Sequence, residues 1–185
     1  EPDGKVDDYF NGAMRAIYNS SVPTVARVNG AAAGGGFGLA LACDIAVAAK
    51  KAFFVATFGP RLGIVPDLGT TWNLPHKAGR ARALGLAMLG DRITAEQAEA
   101  WGLIWKAVED DQLDAEVELI TKKLARTSAD TMTRIRSVTD AALDNSFSDQ
   151  LDLEMEHQAL LIPKNMAEGA RAFMEKREPE FPGRN

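Results

Sequence analysis

At 185 residues and 46% hydrophobic composition, the chain is long enough to bury one core, or one core with a smaller appendage, without disulfide or metal staples. Its 21 basic residues against 26 acidic ones give a formal charge of -5, which argues against a general nucleic-acid binder, and no apolar run approaches the roughly 18 residues a membrane helix needs. The single Cys43 cannot form an internal disulfide, its flanks are apolar, and no secretory segment is visible, so a core thiol and a reducing, cytoplasmic setting are expected.

The sequence opens at Glu1 with EPDGKVDD, which is polar and turn-like, so the ordered pattern begins as if in mid-fold. A fragment, a processed chain or missing upstream residues each fit that opening. Residues 8–20 place Tyr9, Phe10, Met14 and Ile17 on one helical face, with Asp7 or Asp8 available as a cap. Pro23 closes that helix and begins an extended run, Thr24 to Val28, before the Asn29-Gly30 turn. Gly34, Gly35 and Gly36 then precede an apolar helix from Phe37 to Cys43, interrupted by Gly38. Strands are expected at Ile45–Ala49 and from Ala52 to Phe58, with Lys50-Lys51 as a solvated turn between them. The segment GPRLGIVPDLGTT is too rich in Gly and Pro for a regular element.

A helix follows over 79–89, stopped by Gly90. Thr94 with Gln97 is a capping box opening a short helix that ends at Gly102, and Leu103 to Val108 reads as a strand. Trp101 and Trp105 are expected in the core. From residue 113 the character changes to amphipathic helix: residues 113–126, 129–143 and 147–161, then a last helix, 165–178, set apart by Pro163. The chain therefore divides into a Gly-rich α/β core, 1–112, and a helical region, 113–185, of a kind that packs over a site or against another subunit.

Two features carry chemistry. The triple glycine at a helix start presents free backbone N–H groups at a positive dipole end, suited to a phosphate, a carboxylate or a developing oxyanion. The spacing GGGFG matches neither a dinucleotide fingerprint nor a P-loop, so an anion cradle and a simple tight helix start stay open as alternatives. Asp67 is the sole carboxylate between Phe53 and Gly90, and its neighbours are apolar. Such surroundings raise a carboxylate's pKa unless it is paired, which suits a general base or acid; a helix cap or a loop tip are the plainer roles. His76 and His157 are isolated, so no metal site is expected, and no GxSxG elbow is present.

The motifs VNGAAAGGGFGLALACDIAVAAKKAFF, RLGIVPDLGTTWNLP, AGRARALGLAMLGDRITAEQAEAWGLI and AEGARAFMEKREPEF, in this order, resemble the crotonase superfamily, the enoyl-CoA hydratases and isomerases, over essentially the whole chain. PDLGTTWNLP and GRARALGLAMLG look most like its ring-1,2-epoxyphenylacetyl-CoA isomerases. The resemblance implies an α/β spiral of ββα turns with a C-terminal helical domain, assembled as a trimer or a dimer of trimers. It implies an acyl-CoA thioester as substrate, with coenzyme A entering as part of the substrate and no separate cofactor.

By the same resemblance the thioester oxygen rests between two backbone N–H groups. One matches Gly35; the other belongs to a G-x-F-S-A-G-x-D-like stretch upstream of residue 1, so the N-terminal part of the fold is expected from the intact protein or another chain. The two glutamates of the hydratases fall at Gly38 and near Phe58 to Arg61, and neither is a carboxylate here. Isomerases of the superfamily place an aspartate where this chain has Asp67. The implied activity is acyl-CoA isomerisation through an enolate, in phenylacetate or fatty-acid breakdown. An enoyl-CoA hydratase and a non-catalytic binding protein of the same fold are the alternatives. Phe37, Phe58, Leu62 and Trp72 are expected either in the acyl pocket or in the core, and Lys176 and Arg177 at the CoA phosphates.

Overall fold

The computed structural model describes residues 6–181. The polar opening residues 1–5, and the side-chain roles expected of Asp7, Asp8 and Tyr9, lie outside what it describes. The chain forms two compact units: Thr24–Leu119 together with the preceding chain up to Ser20, and Ser21–Pro23 together with the chain from Ile120 onward. The division falls inside a helix rather than at residue 113.

The first unit begins with helix α1 (Val6–Tyr18) and holds two three-stranded sheets. In one sheet β1 (Val25–Val28), β3 (Ile45–Ala49) and β6 (Lys106–Val108) run parallel, with Val25 opposite Ile45 and Val47 opposite Lys106. In the other, β2 (Ala31–Ala33) pairs parallel with β4 (Phe53–Val55), which pairs antiparallel with β5 (Ile93–Thr94). The β3 sequence IAVAA is the near-continuous small apolar run that a parallel strand covered on both faces requires, and Ala46 to Ala49 are buried.

Helix α2 (Gly35–Ala42) connects β2 to β3, and helix α3 (Thr70–Leu89) follows the irregular segment after β4. That segment opens with a π-helical turn, Phe58–Leu62, closed by Gly63 in the left-handed region. Phe37, Leu41, Phe54, Leu74 and Leu86 form the centre of the core, with the Phe37 and Phe54 rings tilted at 5.3 Å. Helix α4 (Ala95–Ala100) starts on the expected capping box, Thr94 and Gln97 exchanging side-chain and backbone hydrogen bonds. Trp101 packs half-buried against the core beneath the Arg82 guanidinium, 5.1 Å from the ring centroid. Trp105 is exposed instead of buried: its N–H reaches Ala46 O at 2.9 Å as the chain enters β6, and its side chain faces out. Lys50 and Lys51 are paired rather than merely solvated, Lys50 with Glu109 and Glu96 and Lys51 with Asp110.

The second unit is helical. Helix α5 (Leu113–Arg126) runs into it, followed by α6 (Ala129–Ala141) and α7 (Phe147–Glu175). The two helices expected on either side of Pro163 are one, because a proline removes a single ladder hydrogen bond and the long helix continues on both sides of it. Ser146 caps α7 through the Asp149 N–H, Asn165 donates to Thr131 at 3.1 Å, and Lys164 pairs with Asp130 at 3.3 Å.

Candidate active site

The GGG turn sits between β2 and α2. Gly34 takes φ +52° and ψ -120°, a conformation open to glycine alone, and its N–H is fixed to Val55 O at 2.9 Å. Its carbonyl accepts from Phe37 and Gly38, which starts the α2 ladder. The Gly35 and Gly36 N–H groups come before any carbonyl the helix can offer them, so they are free to face a ligand at the positive end of the helix dipole. Gly35 is half-buried and Gly36 exposed, so this end of α2 is reachable.

The segment carrying Asp67 lies directly on that helix start. A methyl group built on Gly35 would stand 2.6 Å from Leu68 Cδ1. One built on Gly38 would stand 2.5 Å from the Leu68 carbonyl oxygen and 2.8 Å from Thr70 Oγ1. Both glycines therefore give room to the Leu68 turn. The position that the resemblance assigns to the first hydratase glutamate is occupied by the backbone of the next loop. Where the second would fall, the π-helical turn FGPRL supplies no carboxylate either.

Asp67 itself opens a tight turn: Thr70 N–H donates to Asp67 O at 3.0 Å. Asp67 is exposed rather than enclosed by the apolar residues around it in sequence, because the loop passes over the helix start instead of entering the core. Thr70 behind it is fully buried, and its hydroxyl has no hydrogen-bond partner among the described residues. Asn73 holds the far end of the turn, its side chain and its N–H both donating to Gly69 O, at 3.0 and 2.8 Å.

The other expected site residues divide. Phe37 is completely enclosed and Phe58 is buried, so both serve the core and not an open pocket. Leu62 and Trp72 are exposed, at 63% and 44%; Trp72 stacks on His76 with ring centroids 4.2 Å apart and meets Tyr18 edge-on at 5.9 Å. Lys176 is the left-handed cap of α7 and is exposed. Arg177 is engaged within the chain: it grips Glu168 at 2.7 and 3.1 Å and donates to Glu175 at 2.6 Å. The guanidinium holds the Glu168 carboxyl down at about 2 and is itself raised by that pairing. Burial pushes the Cys43 thiol up, as an inert, half-buried thiol shows. Among the described residues, no cluster of His, Cys, Asp or Glu could hold a metal, and no helix is long and apolar enough to cross a membrane.

Gly35 and Asp67 are the residues the sequence singles out; Leu68, Thr70 and Asn73, which pack or hydrogen-bond around the same turn, are not. Leucine is a poor residue for a left-handed turn, so nothing in the local pattern marks it.

Comparison with known proteins places the chain in a family. The family model described as enoyl-CoA hydratase/isomerase matches residues 2–184. The chain is 41% identical over 180 residues to the 1,2-epoxyphenylacetyl-CoA isomerase of Escherichia coli, covering 97% of this chain and 68% of that protein. It is 42% identical over 176 residues to a protein of Rhodobacter capsulatus named "Probable enoyl-CoA hydratase", covering 95% of this chain and 68% of that one. The crystal structure of an enoyl-CoA hydratase from a Polaromonas species superposes with a TM-score of 0.89 at 32% identity, over 99% of this chain and 72% of that one.

Proposed function

The chain belongs to the enoyl-CoA hydratase/isomerase family, and from that premise we propose that it acts on an acyl-CoA thioester as an isomerase in which Asp67 carries the proton and Gly35 N–H polarises the thioester carbonyl. The observation that carries this reading is the closure of Gly38 by Leu68 O and Thr70 Oγ1, which leaves no room for a hydratase-type glutamate there while seating the Asp67 turn on the start of α2. Water addition across a double bond uses one group to deliver water and another to protonate carbon. A single carboxylate suffices to move a proton from one carbon to another.

The chemistry follows from the two groups. The α-carbon of a thioester is a weak acid in water, and a backbone N–H aimed at the oxygen stabilises the enolate that forms on deprotonation. With a 3-enoyl-CoA, the Asp67 carboxylate takes a proton from C2, the electron pair spreads to the thioester oxygen, and the proton returns at C4. The double bond thereby enters conjugation. With a ring-1,2-epoxide of phenylacetyl-CoA, the same enolate stabilisation drives opening of the epoxide toward an oxepin. Of the two expected CoA-phosphate contacts we retain Lys176, since Arg177 is already paired with Glu168. Assembly as a trimer or dimer of trimers through the helical region is part of this proposal, supported by the exposed apolar residues of α7.

In the Asp67→Asn variant, turnover of a 3-enoyl-CoA is expected to fall about a hundred- to ten-thousandfold, with binding of an unreactive acyl-CoA thioether unchanged. Unchanged turnover would sink the proposal. The hydratase reading is favoured by the name of the Rhodobacter relative. It requires loss of the enoyl absorbance when the protein is given crotonyl-CoA; the isomerase reading requires that absorbance to persist.

A further inference from the structure

We propose that Leu68 is a positioning residue, wedged over the start of α2 so that the Asp67 turn is held in one conformation beside the Gly35 N–H. The proposal rests on the reading of Asp67 as the proton carrier.

The turn from Asp67 to Thr70 has positive φ at both central residues, +52° at Leu68 and +73° at Gly69, and is closed by the Thr70 N–H to Asp67 O bond of 3.0 Å. This is the mirror image of the common turn, and its central positions are normally filled by Gly, Asn or Asp. A leucine in that conformation is strained and persists only where its surroundings over-determine it. Here they do. The Leu68 side chain lies against Gly35, its Cβ is 3.1 Å from where a Gly38 methyl would stand, and its carbonyl oxygen is closer still.

The far side of the turn is pinned as well, by the two Asn73 bonds to Gly69 O and by the buried Thr70. Four consecutive residues are thus fixed to α2 and α3. Within them, the Asp67 side chain is the one polar group left exposed, with no hydrogen-bond partner among the described residues. A glycine at 68 would relieve the strain and satisfy the same turn. What it would remove is the side chain that sets the turn's distance from Gly35. The leucine therefore exchanges local backbone ease for a fixed placement of the carboxylate.

The test is steady-state kinetics of the full-length protein on a 3-enoyl-CoA, with binding of an unreactive acyl-CoA thioether measured alongside. Leu68→Gly is expected to lower kcat about ten- to a hundredfold, as a misplaced catalytic group does, while KM, thioether binding and the thermal midpoint stay near those of the parent. Leu68→Met, which keeps an apolar side chain over Gly35, is expected to recover most of the lost kcat. The proposal is overturned if Leu68→Gly turns over at the parental rate, or if kcat falls only together with the thermal midpoint in both variants. Asp67→Asn is assayed in parallel. Retained activity there defeats the proton-carrier reading itself, whereas an inactive Asp67→Asn beside a fully active Leu68→Gly defeats the positioning role alone.

Discussion

Phe37 and Phe54 in the α/β unit are fully enclosed, whereas Phe147 and Phe173 on α7 of the helical unit are 80% and 85% exposed. The α/β unit is packed so closely around α2 that two of its glycines lack room for a methyl group. The helical unit instead carries an open groove of about 640 Å³, lined by Ile135, Val138, Leu151, Met155 and Leu161 among others. The contrast separates two kinds of specification. In the α/β unit the chain's own packing fixes where reactive groups stand. In the helical unit apolar side chains stand exposed on the single chain, and the assembly proposed above would cover them with a second copy.

Paired truncations test that contrast most strongly. Phe54→Ala is expected to destabilise by about 3–5 kcal/mol, the usual cost of emptying a tight aromatic site, whereas Phe173→Ala should change the stability of the dilute protein by less than about 0.5 kcal/mol. Denaturant titration at two protein concentrations checks both. A loss for Phe173→Ala that grows on concentrating the protein would show that the face is covered in an assembly.

A smaller effect tests the space around the site. Gly38→Ala forces the Leu68 carbonyl and the Thr70 side chain to give way, an overpacking expected to cost about 1–3 kcal/mol. Turnover should fall with it, since the displaced turn carries Asp67. A stable and fully active Gly38→Ala would mean that the turn yields freely, and the closed Gly38 would then say little about mechanism.

The smallest effect is electrostatic. Arg177 holds Glu168 at about 2, below its ordinary 4.5. A carboxyl lowered in the folded state adds stability that is present above the unfolded pKa and is lost as pH falls through the folded one. The Glu168 contribution is therefore complete above about pH 4.5 and disappears toward pH 2. An NMR titration of the side-chain carboxyl should show the low midpoint, and Arg177→Ala should raise it toward the ordinary range, with the Glu180 N–H still donating to the carboxylate.

Much of this architecture could be read from the residues. The helix at 113–126, the strand Ile45–Ala49 and the Thr94 capping box lie where the pattern puts them, because each depends on local periodicity or on a cap chemistry confined to four residues. The short strands β2 and β5 were not legible: AAA and IT have no strand periodicity and exist through pairing with β4. The first half of α3 was hidden behind Gly69 and Pro75, and Pro163 suggested a break that the long helix does not make. For the site, Gly35 and Asp67 were visible as chemistry. The Leu68 wedge was not, since its strained backbone is a property of tertiary packing and runs against what leucine prefers.

In the proposed reaction one carboxylate moves one proton between two carbons of the same thioester. The direct measurement follows a 3-enoyl-CoA deuterated at C2 through a single turnover of the full-length protein, with the product examined by NMR. The expected product is a conjugated enoyl-CoA with part of the deuterium delivered to C4, and Asp67→Asn is expected to lose that transfer. A 3-hydroxyacyl product, or transfer that persists without the Asp67 carboxylate, would contradict it.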